Sequence, residues 1–177
     1  MIIKTFELSK KENFNSSIFL LYGVNEGFKN EIIEKYFINN LKVNVERYEE
    51  NEILNNDDFI SGLMNKSLFE NEKLIIISRL SEKILKIIEL IIEKKISGVT
   101  LILNSKSLDK KSKLRNFFEK DKNLVCIPFY EDDKKTLISL ANSYFRAEKK
   151  SISNEAISIL IDRCNGDRKN LYNELNK

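Results

Sequence analysis

The chain has no histidine among its 177 residues. That removes histidine acid–base catalysis, serine–histidine triads and the commonest metal ligand. Cysteine is almost as scarce. Cys126 and Cys164 lie far apart in apolar surroundings and form no CxxC pair, so no structural zinc site is expected. Two buried free thiols in a reducing compartment are the simpler reading. No apolar run reaches the roughly 18 residues of a membrane helix, and the start, Met1-Ile2-Ile3-Lys4, is too short for a signal peptide. A large excess of one charge is missing too. Thirty basic against 27 acidic residues leave +3, which is not the profile of a protein that coats DNA. The expectation is a cytoplasmic protein with no metal, no cofactor and no membrane partner.

What is present is a core. Hydrophobic residues make up 42%, enough for one substantial domain or for one domain and the start of another. Residues 1–16 are short amphipathic material with a polar end. Ile18-Phe19-Leu20-Leu21-Tyr22 is a continuous apolar run ending at Gly23, as in a buried parallel strand. A turn and then a helix from Phe28 to Asn40 follow, with Phe28, Ile32, Ile33, Tyr36 and Phe37 on one face. Val43 to Tyr48 alternates like a second strand. Lys73–Leu80, Val99–Leu103 and Leu124–Phe129 read as three more, the last closed by Pro128, the only proline. Between them lie a helix after Asn56 with Asp57 and Asp58 in its first turn, an apolar helix from Ile84 to Ile96 capped by Ser81, and a charged helix from Leu108 to Lys120. Such alternation predicts a parallel five-stranded sheet with helices on both faces.

No strand pattern remains beyond Glu131. Three helices are predicted there. The first has a face of Leu137, Leu140, Ala141, Tyr144 and Phe145. The second is capped by Ser153 with Ile157, Leu160 and Ile161 inward, and the third starts at Gly166-Asp167-Arg168. The predicted domains are therefore 1–130, α/β, and 131–177, a small all-helical lid. Leu171 and Leu175 in the last helix suggest that further chain is needed to cover them.

The chain is organised around Lys66-Ser67-Leu68-Phe69-Glu70-Asn71-Glu72, where a helical pattern (Phe59, Ile60, Leu63, Met64) gives way to a loop before the third strand. A Leu-Phe pair at such a junction is either a cap folded back on the core or a plug offered to a partner.

The turn after the first strand is where a nucleotide phosphate would sit in this layout. Against the pattern G-x-x-x-x-G-K-[ST], Gly23, Gly27, Lys29 and their neighbours read only in part. Gly23 and Lys29 match, Phe28 stands for the second glycine, and Asn30 replaces the magnesium-binding hydroxyl. Glu26 adds a carboxylate where phosphates would lie. The third strand ends in Ile77-Ser78-Arg79 rather than an acidic pair. Two parts of an ATP site are absent, so the loop is not expected to bind nucleotide, and Lys29 is expected to be a solvated helix residue.

These pieces together resemble the delta subunit of bacterial DNA polymerase III, the clamp-opening member of the clamp loader. The resemblance rests on Phe19-Leu20-Leu21-Tyr22-Gly23 with Glu26-Gly27, Ser67-Leu68-Phe69, and Lys73-Leu74-Ile75-Ile76-Ile77. Further on it includes Leu108 to Arg115, Tyr130-Glu131-Asp132-Asp133, and Gly166-Asp167-Arg168 with Asn173-Glu174-Leu175. It implies an AAA+-like first domain that has lost ATP binding, a helical lid and a third, collar domain absent here.

The resemblance also implies partners and sites. The partners would be the sliding clamp (beta subunit) and the other loader subunits, with DNA contact weak or indirect. The clamp-binding element falls on Ser67, Leu68 and Phe69, with Asn65 and Met64 leading in. Many clamp ligands resemble Q-L-[SD]-L-F, against which Asn65 is a shorter amide and Lys66 replaces an apolar residue. The chain would open the clamp during replication as a non-catalytic subunit of a DNA-directed DNA polymerase, a nucleotidyltransferase. It would act in the bacterial cytoplasm, at the nucleoid through the replisome. Arg168 falls where related ATPases place a nucleotide-sensing arginine. Without nucleotide, a capping or salt-bridge role is expected of it, and Asn104 is expected to be a relic.

Two other readings stand beside this one. One is a nucleotide-binding AAA+-type ATPase using Lys29, Asp57 and Asp58. The other is a DNA-binding replication or repair accessory protein using Lys110, Lys111, Lys113 and Arg115, a run that otherwise reads as a solvated helix face.

Overall fold

The computed structural model describes residues 1–3, 5, 16–39, 44–64 and 72–177. They form two compact units, Met1–Gly23 with Ile33–Pro128, and Val24–Ile32 with Phe129–Lys177.

The first unit is built on five strands: β1 (Ile18–Gly23), β2 (Asn44–Glu49), β3 (Lys73–Ser78), β4 (Val99–Ser105) and β5 (Val125–Phe129). Their order is β2-β3-β4-β1-β5 and all run parallel. Phe19 lies opposite Ile102, and Ile76 opposite both Arg47 and Ile102. Strands covered on both faces need apolar residues at every position, and β1 and the centre of β3 meet that demand with continuous buried runs. β2, at one edge, is only partly buried.

One face of the sheet, carrying Leu20, Ile75, Ile77, Leu101 and Leu103, packs on four helices. These are Glu50–Leu54, Phe59–Met64, Ile84–Glu93 and Lys113–Lys120, numbered α2 to α5 because α1 (Glu26–Ile32) precedes them. On the other face, Phe19 meets Phe37 edge-on at 4.9 Å. Phe37 belongs to a π-helical segment, Ile33–Ile38, that continues α1. Outside β5, Met1–Ile3 adds a short parallel bridge: Cys126 N donates to Met1 O (2.9 Å) and Ile3 N to Cys126 O (3.0 Å). The N–H of Cys126 thus points away from β1. Pro128, two residues on, faces the same edge, where a missing donor breaks no ladder hydrogen bond.

Several boundaries differ from the sequence expectations. α4 stops at Glu93, not Ile96, and Gly98 (φ 73°) turns the chain into β4. Ser81 is not the direct cap of α4, because its hydroxyl oxygen accepts from Lys83 N (3.2 Å). The amides at the start of α4 are held by the buried carboxylate of Glu50 from α2, which accepts from Ser81 N (2.9 Å) and Ile84 N (3.1 Å). Replacing Glu50 with Ala leaves both amides without that acceptor. Urea unfolding should show a loss of about 1–3 kcal/mol, while Glu50→Gln, which keeps a carbonyl acceptor, should recover part of it. Equal stability of E50A and parent would refute this role.

In the second unit, α6 (Lys134–Ala147), α7 (Asn154–Arg163) and α8 (Arg168–Leu175) share a core of Leu137, Ala141, Ile157, Ile161, Cys164, Leu171 and Leu175. The caps are short side chains accepting from the third amide: Asp133 from Thr136 N, Ser153 from Ala156 N, and Asp167 from Asn170 N. Leu171 and Leu175 are already covered by this core. α1 belongs to the same unit and packs on α8.

Candidate functional site

The segment that follows β1 is held by side chains of its own unit. Asn25 accepts from Phe28 N (3.0 Å), which caps α1. Its amide donates to Tyr130 O (3.1 Å) and to Asp132 Oδ2 (2.7 Å). Gly27 lies so close to α8 that a Cβ there would stand 2.9 Å from Lys169 N. A side chain at this position would push α1 off α8.

Lys29 is not solvated. Its side chain is fully buried and its ammonium donates to Glu26 Oε1 at 2.6 Å. Burial lowers its pKa, with the Glu26 carboxylate opposing the shift. The lysine expected in solvent is turned inward with its charge met by the carboxylate one helical turn earlier.

Phe28, standing at the position of the second loop glycine, has a structural partner on each side. The Arg168 guanidinium carbon lies 3.8 Å from its ring centroid, and Phe129 meets it edge-on at 5.4 Å. Arg168, almost wholly buried at the start of α8, makes a bidentate pair with Asp132 (Nε to Oδ2, 2.7 Å; Nη2 to Oδ1, 2.6 Å). It also donates to Glu31 Oε2 from Nη1 (2.9 Å). Burial alone would work against the charge, but the hydrogen bonds and charges of Asp132 and Glu31 outweigh it and raise the arginine's pKa further. Arg168 is thus a salt-bridge residue, while Asp167 is the cap. Beside it an open cleft of about 270 Å³ is lined by Val24, Asn25, Glu131, Asp132, Asn165, Gly166, Asp167 and Arg168. Three of those residues are carboxylates against the single cation Arg168, a lining unfavourable to a polyphosphate.

The other sequence-derived candidates fall as follows. Gly23 closes β1 at φ 135°, and Asn30 lies exposed on α1. Met64 ends α3 and is 53% exposed. Asn65, Ser67, Leu68 and Phe69 lie outside the described residues. Asn104, near the end of β4, keeps a buried Oδ1 with no hydrogen-bond partner. Both cysteines are free and buried, and burial pushes the Cys126 thiol up to about 12, far from a thiolate nucleophile at neutral pH. Among the described residues no helix is long and apolar enough to cross a membrane. Sequence reasoning did not anticipate Asp132 and Glu31 as partners of Arg168. Their separation of 36 and 137 residues from it leaves no local pattern to read.

No family model matches the chain, and no curated protein matches it. Solved structures do. The Bacillus subtilis DNA clamp loader delta protein superposes with a TM-score of 0.59 at 17% identity, covering 97% of this chain and 54% of that one. The fold is AAA+-like. A Walker-type ATPase of Pyrococcus abyssi shares this AAA+-like fold with a TM-score of 0.51 at 14% identity, covering 92% of this chain and 63% of that protein. The chain thus spans about half the length of the first and under two thirds of the second. At such identities the likeness establishes the AAA+-like architecture and leaves function to be argued from the residues.

Proposed function

We propose that this chain is a delta-type clamp-loader subunit that binds a bacterial sliding clamp and favours its open form without binding ATP. The observation that carries the reading is the tripeptide Ser67-Leu68-Phe69, which follows α3 in the sequence after Asn65 and Lys66, together with a fold similar to a clamp loader delta protein over 97% of the chain. The two cations a nucleotide would need support the second half of the proposal. Lys29 is buried against Glu26, and Arg168 is held by two carboxylates.

The work is mechanical. A ring closed in solution opens only if a ligand binds the open form better than the closed one. Leu68 and Phe69 enter an apolar pocket of the clamp near a ring interface, and Met64 and Asn65 line the rim. In the resting loader the pair is hidden, since an exposed Leu-Phe patch is an association hazard. The remaining loader subunits supply ATP-dependent control, and this chain responds to ATP that it does not hold. It acts in the bacterial cytoplasm as part of the replisome.

Two titrations test the proposal. One adds a purified bacterial sliding clamp to the chain, and the other adds ATP with magnesium. Saturable clamp binding with no ATP binding is expected. ATP binding without clamp binding would replace this reading with that of a nucleotide-dependent ATPase.

A further inference from the structure

Asn165 and Gly166 stand in the turn between α7 and α8, and no other asparagine of the chain is followed by glycine. Both take the left-handed conformation, Asn165 at φ 50° and Gly166 at φ 71°. Asparagine tolerates that conformation better than most residues, and glycine adopts it without steric cost. Backbone bonds close the turn. Asn165 N donates to Asp162 O (3.2 Å), Gly166 N to Ile161 O (3.3 Å) and Asp167 N to Cys164 O (2.9 Å). Directly beyond it come Asp167, the cap of α8, and the buried Arg168.

The surroundings of Asn165 are acidic. It borders the cleft that holds Glu131, Asp132 and Asp167, and also a second open cavity of about 290 Å³ that holds Asp132, Lys134 and Asp162. Two cations stand among these lining residues, and both are engaged. Lys134 pairs with Asp162 (3.2 Å), and Arg168 is held by Asp132 and Glu31. Asn165 is thus an exposed, neutral side chain on the border of two cavities lined by four carboxylates. A negative charge at this position would meet no spare cation among the lining residues.

We propose that Asn165 is a site of spontaneous deamidation, reached when the turn opens, and that its products loosen the start of α8. The Gly166 backbone nitrogen attacks Cγ of Asn165. A bond forms between them, the bond from Cγ to Nδ2 breaks, and the proton lost by Gly166 N leaves with ammonia. Glycine permits this closure because no Cβ stands beside the attacking nitrogen. Water then opens the cyclic imide. Opening at Cγ gives aspartate. Opening at the main-chain carbonyl gives isoaspartate, whose backbone runs through Cβ and Cγ and is one carbon longer. In the folded chain the attacking nitrogen is held, because its N–H donates to Ile161 O. The reaction therefore runs from the opened turn, and its rate reports how often that turn opens. Either product places a new charge beside the four carboxylates, and isoaspartate also lengthens the backbone just before Asp167 and Arg168.

The test is incubation of the full chain in warm, mildly alkaline buffer, with and without urea, followed by peptide mapping by mass spectrometry. Asn165 should convert before any other asparagine, to a mixture of aspartate and isoaspartate, and faster in urea than in the native chain. Arg168→Ala, which frees the start of α8, should raise the native rate at least about tenfold. The consequence is measured on Asn165→Asp, which reproduces the charge without lengthening the backbone. Its unfolding equilibrium constant should rise about twofold to tenfold over the parent at low salt, and the difference should shrink as salt screens the carboxylates. Asn165→Gly, which suits the left-handed turn and cannot deamidate, should keep the parental salt dependence. The proposal is overturned if another asparagine converts first, if Asn165 converts as fast in the native chain as in urea, or if Asn165→Asp is as stable as the parent at low salt. None of these measurements involves a clamp or a nucleotide, so this proposal and the proposed function fail separately.

Discussion

Replacing both Leu68 and Phe69 with Ala is expected to weaken clamp binding by two to four orders of magnitude. Burying a leucine and a phenylalanine is worth roughly 1.5–3 kcal/mol each, so the pair supplies roughly 3–6 kcal/mol of binding free energy. At about 1.4 kcal/mol per tenfold change, that range spans the stated loss. A micromolar complex has about 8 kcal/mol in total, so the variant would bind too weakly to detect at ordinary concentrations. A few buried anchors dominate most interfaces, and their neighbours mainly exclude water. Met64→Ala, at the proposed rim, should therefore cost far less than either anchor. The variant protein should remain folded, with unchanged far-ultraviolet circular dichroism and urea midpoint. If the double variant unfolds, the two side chains cap the core and the plug reading is wrong. If it folds and binds the clamp like the parent, the clamp contact lies elsewhere on the chain.

The sheet was the most legible part of this molecule. Ile18–Tyr22 and Leu74–Ile77 are continuous apolar runs because both faces of their strands are covered, and that demand is written locally. The cap at Ser153 was legible for the same reason, since a cap acts on amides two or three residues away, whereas at the last helix the cap is Asp167 and not Arg168. What escaped was long-range. The start of α4 is held by Glu50, 31 and 34 residues before the amides that it accepts from, and nothing in the local sequence around Glu50 gives a sign of such a role. Lys29 illustrates the same limit. Its helical position says nothing about whether a lysine turns inward, and only the fold shows that Lys29 is buried with its ammonium met by the exposed carboxylate of Glu26. The start of α5 was misplaced by five residues. The lysine-rich stretch has good helix propensity throughout, but Ser112 caps by accepting from Arg115 N and so fixes the first turn at Lys113. That shift moves Lys110 and Lys111 from the expected helix into the turn before it. The segment after β1 could be compared residue by residue with the phosphate-loop pattern. The cluster around Arg168 could not be read in this way, because Arg168, Asp132 and the α1 pair Phe28 and Glu31 come from three separate stretches of sequence.

Arg168→Ala should be among the most damaging single substitutions in the helical unit. The guanidinium is 4% exposed and Asp132 is 6% exposed, so removing the arginine leaves a buried carboxylate whose remaining partner is the Asn25 amide. Breaking one side of a buried pair costs about 3–5 kcal/mol, chiefly the penalty of the charge left behind. Against a typical total of about 5–15 kcal/mol, this is a large share of the stability. Arg168→Lys should recover only part of the loss. A single ammonium cannot grip both oxygens of Asp132, reach Glu31 and lie flat on Phe28 together. Asp132→Ala combined with Arg168→Ala should cost less than the sum of the two, because the double variant leaves neither charge stranded in that pair. Urea unfolding measures the total, and amide hydrogen exchange of α1 and α6–α8 locates the loss. Parental stability in the Arg168→Ala protein would show that the cluster contributes nothing. The same balance makes a statement about ligands. The charge of Arg168 is already met by two carboxylates and its face is already covered by Phe28. A nucleotide would have to displace Asp132 and Glu31, stranding two carboxylates beside its own phosphates. Addition of ATP should therefore leave the unfolding midpoint of the parent unchanged, as expected of a chain that holds α1 against α8 through its own side chains.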